Sequence, residues 1–217
     1  MQIGVFKTVV SHEFTLEFRH RFAFAAQILY VAAVTFIFYL SFSEPEPLVW
    51  NSLFWMVMLF SGLQSGTFAF SREFGRSHLF YFQLIDPLVL FFAKIISVWT
   101  RLLLLGFTAW FLITVILGDP VVDKPLFALT IILGSLGLAT LFSFLSAISM
   151  NTSNNGLLLA VLSFPVLLPV LLSVIRLSFI SMSDIPVAYS DSITVLLAVI
   201  MLLIGLGIFL FPTLWKN

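Results

Sequence analysis

Long apolar runs, separated by short clusters of charged, proline or asparagine residues, dominate the pattern of this chain. A membrane-crossing helix needs about 20 mostly apolar residues, so each charge-poor run of that length predicts one span. Helices are predicted for all of them because lipid offers backbone groups no hydrogen-bond partners. The six predicted spans cover residues 22–42, 48–71, 95–117, 126–150, 157–178 and 193–215.

The interruptions between the runs set these boundaries. The sequence Glu44-Pro45-Glu46-Pro47 separates the first two spans, and Gly118-Asp119-Pro120 ends the third. No charge occurs from Pro125 to Ile175, a stretch too long for one helix, and we place its break at the polar cluster 151–156. Proline and glycine favour helix ends at such points.

Two further segments are predicted to be helices that do not cross the membrane. In residues 1–21, Phe6, Val10 and Phe14 recur at helical spacing, which predicts an amphipathic helix in the membrane interface. Residues 72–86, between spans two and three, place aromatic side chains on one helical face and basic ones on the other. This second helix fits either packing on lipid headgroups or docking of a cytoplasmic partner.

Composition narrows the class of protein. Of the 217 residues, 61% are hydrophobic and 9% charged, and the mean hydropathy is +1.15. Soluble domains are about 45–50% apolar and about 25% charged, and a chain of this length cannot bury so much apolar surface in water. These values exclude a soluble enzyme, a nucleic-acid-binding protein and a disordered region. The sequence predicts an all-α polytopic membrane protein with a single transmembrane domain, residues 1–217.

The basic residues predict the orientation. Six spans place both termini on one side of the membrane, and that side would hold eight of the ten Lys and Arg residues. Only Lys124 and Arg176 would lie on the opposite side. Since cytoplasmic loops carry the excess of basic residues, both termini are predicted to be cytoplasmic.

No catalytic, cofactor-binding or metal-binding pattern is found. Cysteine is absent, no Gly-Lys pair exists to form a phosphate-binding loop, and the three histidines lack metal-pair spacing. We therefore expect the chain not to be an enzyme by itself, and any ATP to be held by a partner. Lys94, Arg101 and Arg176 are expected near helix ends, from which long basic side chains reach the headgroups.

Two patterns within the spans indicate helix packing and bending. Gly62 and Gly66 flank Gln64 in a Gly-x-x-x-Gly pattern, which allows two helices to approach closely. Pro165 and Pro169 lie four residues apart in the fifth span, and each removes a backbone hydrogen bond. The prolines predict either a simple bend or a hinge.

The order of these elements resembles the haem exporter protein B (CcmB) family, whose members belong to the ABC-2-type permease superfamily. The resemblance covers essentially the whole chain, and its most specific parts are the proline pair Pro165/Pro169 and the segment from Phe70 through Pro87 to Lys94-Ile95. Many members are more acidic after span two, whereas this chain has the basic-aromatic sequence 75–82.

The resemblance implies a permease subunit of an ABC-type complex for cytochrome c maturation in the bacterial inner membrane. It implies two copies paired with a CcmA-type cytoplasmic ATPase, together with CcmC, CcmD and, indirectly, the haem chaperone CcmE. ATP would be bound by the ATPase and haem by other subunits. On this basis the residues expected to contact the ATPase are Arg72, Glu73, Gly75, Arg76, Phe80 and Tyr81.

We expect the subunit to work by mechanical coupling. Closure of the ATPase dimer would push on residues 72–86, and span three and the kinked span five would relay that shift to the outer face. ATP hydrolysis would thereby drive haem export or release of the haem-loaded chaperone. External Trp50 lacks the tryptophan-rich, histidine-flanked context of the haem-holding C subunit, so we expect no haem ligation by this chain. Two alternatives share the composition: a permease for a lipid or polysaccharide cargo, and a membrane scaffold that binds no ATPase.

Overall fold

A computed structural model describes residues 4, 6–11, 21–42, 45–69, 86–149, 155–183 and 189–216 of the chain. These residues are almost entirely helical, and none of them lies in a strand. The long helices of this described part are α1 (Arg21–Ser41), α2 (Pro47–Ala69), α3 (Pro87–Leu117), α4 (Lys124–Ser149), α5 (Asn155–Ile180) and α6 (Ser190–Lys216).

Several of these helices suit a lipid environment. Four are long and apolar enough to cross a membrane, and α5 adds a shorter apolar stretch, Phe164–Ile180. The four are α1, α3, α4 and α6. Helix α2 has a similar length but carries Asn51, Gln64 and several serines, which make it more polar. The all-helical, multi-pass membrane class predicted from the sequence is confirmed, while the count of six crossings stays a prediction.

Helix α3 begins earlier than the predicted span at residue 95. Asp86 caps its first turn, where the carboxylate Oδ1 accepts a hydrogen bond from the Leu88 backbone N–H at 2.9 Å, and Pro87 occupies the first position. At the other end, Gly118 adopts a φ of +89°, which glycine tolerates without a Cβ clash. Lys94 does not interrupt the helix, because a charge alone leaves the backbone ladder intact.

Helix α4 forms the centre of the bundle. It packs against α2, α3, α5 and α6, and these four also pack on one another in the order α2–α3–α6–α5 and back to α2. In the candidate membrane span of α4, 78% of the residues are buried, compared with 17% in that of α1. Glycine, serine and alanine make up much of α4, and such small residues let neighbouring backbones approach closely. The axis of the bundle is therefore filled by a helix.

Helix α1 lies outside this ring. It packs mainly on α3 and only slightly on α2. Its outer face leaves large apolar side chains exposed, including Leu29, Phe36 and Leu40. Residues 6–11 are also helical, and Phe6 and Val10 pack against the core beside the buried Val9. The rest of the predicted interfacial helix, residues 12–20, lies outside the described residues.

Candidate functional site

The six residues expected to contact an ATPase lie outside the described residues. They are Arg72, Glu73, Gly75, Arg76, Phe80 and Tyr81, all within the undescribed segment 70–85. This segment joins the end of α2, Ala69, to the cap of α3, Asp86. The structure thus defines the two helices that flank the predicted coupling segment, and their contacts can be traced into the bundle.

The glycine pair of α2 lies against the central helix. A Cβ atom added to Gly62 would lie 2.5 Å from the ring of Phe142 in α4. One added to Gly66 would lie 2.6 Å from the Phe142 Cβ and 3.3 Å from its carbonyl oxygen. These distances leave no space for a side chain at either position. The half of α2 that leads to segment 70–85 is therefore in close contact with α4 at Phe142.

A polar cluster joins α1, α2 and α3 near the same end of α2. The Gln27 amide Nε2 donates to the Gln64 Oε1 at 3.4 Å, the Ser65 hydroxyl at 3.4 Å and the Ser61 carbonyl at 3.5 Å. The Arg101 Nε donates to the Gln27 Oε1 at 3.0 Å. Gln27 is buried. This cluster, which we call the Gln27 joint, links three helices by side-chain hydrogen bonds.

The expected position of the basic residues near helix ends is wrong for Arg101. Arg101 lies midway along the 31-residue helix α3, and its side chain turns to Gln27 rather than to a terminus. Lys94 is 4% exposed and thus buried within the bundle. Charges at such positions cost several kcal/mol unless protein groups surround them. Gln27 was not predicted as a site residue, although an amide in the middle of the mainly apolar helix α1 is a visible signal.

The proline pair lies within helix α5, which continues through both residues. Because proline lacks a backbone N–H, the carbonyls of Val161 and Pro165 lose their usual donors four residues on. One turn after Pro169, the Ser173 hydroxyl donates to the Pro169 carbonyl at 2.8 Å. The backbone of α5 is therefore less constrained between residues 161 and 169 than beyond them.

A second polar cluster joins the other end of α2 to α5. The Asn51 Nδ2 donates to the Ile175 carbonyl at 2.9 Å, and its Oδ1 accepts from the Ser178 hydroxyl at 2.7 Å. The Trp55 indole Nε1 donates to the same hydroxyl at 2.8 Å. Asn51, Trp55 and Ser178 are all buried. This cluster was not predicted from the sequence, since Ser178 lies 127 residues from Asn51 along the chain.

Trp50, which the sequence places at the external end of span two, is part of the packed interior. It is 1% exposed, its ring stacks on Phe54 at 6.0 Å, and it also contacts Phe127 of α4. Its indole Nε1 donates to the Gly118 carbonyl at 3.1 Å. Trp50 thus anchors α2 to the turn between α3 and α4.

Comparison with known protein families identifies a match over almost the full chain. The family described as CcmB protein matches residues 4–214. The chain belongs to the CcmB family. No curated protein sequence matches it significantly.

CcmB proteins are membrane permease subunits of haem export in cytochrome c maturation, and this membership confirms the resemblance seen in the sequence. CcmB proteins are membrane subunits of a haem-export complex that has an ATPase partner, and they are generally non-catalytic. In the part of this chain that the structure describes, no group of three or more histidine, aspartate or glutamate side chains is placed to hold a metal ion. Both polar clusters and the glycine contact with Phe142 involve α2.

Proposed function

We propose that this member of the CcmB family couples ATP hydrolysis by a CcmA-type ATPase to haem export or to release of the haem-loaded chaperone CcmE. One observation carries the proposal: both flanks of segment 70–85 enter the Gln27 joint, α2 through Gln64 and Ser65 and α3 through Arg101. A push on the segment would therefore displace α1, α2 and α3 together. Only a difference in contact with the two ATPase states can drive such a change.

In this proposal Arg72, Glu73, Gly75, Arg76, Phe80 and Tyr81 form the contact surface for the ATPase. Arginine suits this role because its planar guanidinium forms bidentate bonds with carboxylates. ATP is bound by the ATPase and haem by CcmC and CcmE, and this chain binds no cofactor itself. CcmD completes the complex.

We further propose six crossings of the bacterial inner membrane with both termini in the cytoplasm. The described helices support this arrangement: α1, α3, α4 and α6 have the length and apolarity to cross, and α2 and α5 pack between them around α4. Two copies of the chain are proposed per complex. Because α4 fills the axis of each bundle, a path for cargo would lie between copies or along their outer faces.

Charge reversal in the coupling segment tests this function. Arg72→Glu together with Arg76→Glu should reduce the amount of ATPase that co-purifies with the solubilised complex, and should reduce holo-cytochrome c in cells. Arg176→Glu is the matched control, since Arg176 lies in α5 far along the chain and is proposed to face the outer side. Unchanged co-purification with normal ATP turnover and normal holo-cytochrome c would remove the docking role.

A further inference from the structure

We infer that α2 and the part of α5 beyond Pro169 form one rigid unit, held together by Asn51, Trp55 and Ser178. We call these three residues the α2–α5 lock. They are positioning residues: they fix the outer part of α5 to α2, so that α5 bends at its prolines. The rigidity of the unit is a property of the bundle alone, while its use in coupling rests on the proposed function.

The stiffness of the lock is inferred first from its hydrogen bonds between α2 and α5. The Ser178 oxygen accepts from the Trp55 indole, and its hydroxyl lies 2.7 Å from two acceptors, the Asn51 Oδ1 of α2 and the Val174 carbonyl of its own helix. Donation to Asn51 adds a second bond between Ser178 and α2. The Asn51 amide bonds α5 a second time, at the Ile175 carbonyl. All three side chains are at most 1% exposed, so water cannot replace a broken bond. Breaking any one of these bonds would leave a buried polar group unsatisfied.

Helix α4 also packs closely against the lock. A Cβ atom added to Gly134 of α4 would overlap the Trp55 ring and would lie 3.1 Å from Val174 of α5. The Trp55 ring also packs edge-on against Phe54 at 5.2 Å. The indole ring of Trp55 is thus packed between α2, to which it belongs, and helices α4 and α5, in an orientation that lets its N–H bond Ser178. Rotation of α5 against α2 would break both the packing and the hydrogen bonds.

The part of α5 that lacks backbone hydrogen bonds lies next to the lock. The two missing backbone N–H groups belong to Pro165 and Pro169, whereas the bonds to α2 are at Ile175 and Ser178. The bonds that Asn51 and Trp55 make with α5 therefore all lie beyond Pro169. Bending of α5 is confined by them to the region on the cytoplasmic side of the lock.

The rigid unit reaches the outer surface through the α3–α4 turn. The Ser181 carbonyl, just past the end of α5, accepts hydrogen bonds from the Val122 N–H at 3.1 Å and the Asp123 N–H at 2.8 Å. Trp50 of α2 bonds the same turn at Gly118. A displacement at the cytoplasmic end of α2 would thus be delivered to the turn 118–123. This turn is the outer surface that changes position when the coupling segment moves.

Distance measurements between spin labels test the rigidity directly, because the cysteine-free chain accepts labelled cysteines at chosen sites. One pair, Ser52→Cys with Phe179→Cys, reports the locked region, and a second, Phe60→Cys with Val161→Cys, reports α2 against the region before the prolines. All four positions are exposed. In the full-length solubilised protein we expect a narrower distance distribution for the first pair. Equal widths for the two pairs would overturn the inference.

Removal of the lock should abolish this difference. Ser178→Ala is expected to broaden the distribution of the 52/179 pair, and Asn51→Ala serves as a second variant. Thr130→Val is the control, because that buried hydroxyl bonds the Leu126 carbonyl of its own helix. No broadening in either lock variant, or the same broadening in the control, would contradict the role of the lock. The comparison of the two unmodified pairs stands even where a variant fails to fold.

The coupling role is measured in the complex with the ATPase. Between the nucleotide-free and ATP-bound states, the distance for the 60/161 pair should shift while that for the 52/179 pair stays constant. A shift of the 52/179 pair would overturn the inference, since the unit would not be rigid. Failure of the ATPase to associate would instead count against the proposed function, and the widths measured without ATPase would still decide the rigidity.

Discussion

At the scale of single residues, the bundle depends on aromatic rings that occupy the space left by glycines on a neighbouring helix. Phe142 of α4 lies against Gly62 and Gly66, Trp55 of α2 against Gly134, and Phe91 of α3 against Gly207 of α6. Phe142, Trp55 and Phe91 are at most 1% exposed. In lipid, where apolar burial adds little between helices, this van der Waals packing supplies much of the cohesion.

The contact at Gly66 predicts a large effect of one added methyl group. In Gly66→Ala the new Cβ would meet the Phe142 Cβ and carbonyl, which cannot rotate away. We therefore expect the free energy of unfolding to fall by about 1–3 kcal/mol. Gly205→Ala in α6 is the control, because a Cβ there meets nothing within 4 Å. Thermal unfolding in detergent measures both. Equal stability of the two variants would show that α2 and α4 are not in close contact at Gly66.

Sequence patterns identify such residues unevenly. The Gly-x-x-x-Gly spacing predicted close approach at Gly62 and Gly66 but could not name Phe142 as the residue that fills the gap. Asn51 and Ser178 carry no signal of their partnership, because they are 127 residues apart and each looks like an ordinary polar residue in a membrane helix. Periodicity defines the face of a helix, whereas the neighbour of that face follows from the packing of the whole bundle.

At the scale of elements, α1 depends on a few polar contacts for its position. It is little buried and packs mainly on α3, and the Gln27 joint supplies its hydrogen bonds to α2 and α3. Gln27→Leu removes these bonds, including the one from the charged Arg101 guanidinium, and we expect a loss of about 1–3 kcal/mol in thermal unfolding. Thr35→Val, which removes a buried hydroxyl bonded within α1, should cost less.

A double substitution separates the joint from general damage to α1. Replacing Gln27 and Arg101 by leucine together removes both members of the pair, so the combined loss of thermal stability should be smaller than the sum of the single losses. Additive losses would indicate that Gln27 and Arg101 act independently.

The prolines of α5 predict a separation of stability from activity. Pro165→Ala with Pro169→Ala restores two backbone donors, so helix stability should be kept or raised while holo-cytochrome c formation falls, because bending is lost. Pro212→Ala in α6 is the control, since that proline also lies inside a helix but outside the proposed hinge. Normal holo-cytochrome c in the double variant would show that the prolines only bend α5 and do not act as a hinge.

The ends of helices were easier to predict from the sequence than the burial of charged side chains. The sequences around Asp86-Pro87 and Gly118-Asp119-Pro120 contain a capping carboxylate, a proline suited to a first turn and a glycine suited to a positive φ, and α3 runs between them. The predicted third span nevertheless began at 95, because Lys94 was assigned to the headgroup region. Its burial depends on neighbours that no local pattern shows.

At the scale of the whole molecule, the distribution of basic residues predicts how the bundle around α4 is oriented in the membrane. Val122 is exposed in the turn 118–123. In the same region, Lys124 at the start of α4 forms an ion pair with Asp119 at 3.3 Å. Gly4, near the N-terminus, is also exposed. Eight of the ten basic residues would lie on the side of Gly4. The positive-inside rule therefore predicts that Gly4 lies in the cytoplasm and Val122 outside.

Labelling of introduced cysteines tests this orientation on a chain that has none of its own. In intact spheroplasts, a membrane-impermeant maleimide should react with Val122→Cys and should react with Gly4→Cys only after the membrane is permeabilised. Both sites tolerate the change, because Val122 is 57% exposed and a Cβ at Gly4 meets nothing within 4 Å. Labelling of both sites in intact spheroplasts would require an even number of crossings between them and would overturn the proposed topology, which has α1, α2 and α3 cross there. The reverse pattern would place segment 70–85 outside, where no ATPase could reach it, and the proposed coupling would fail.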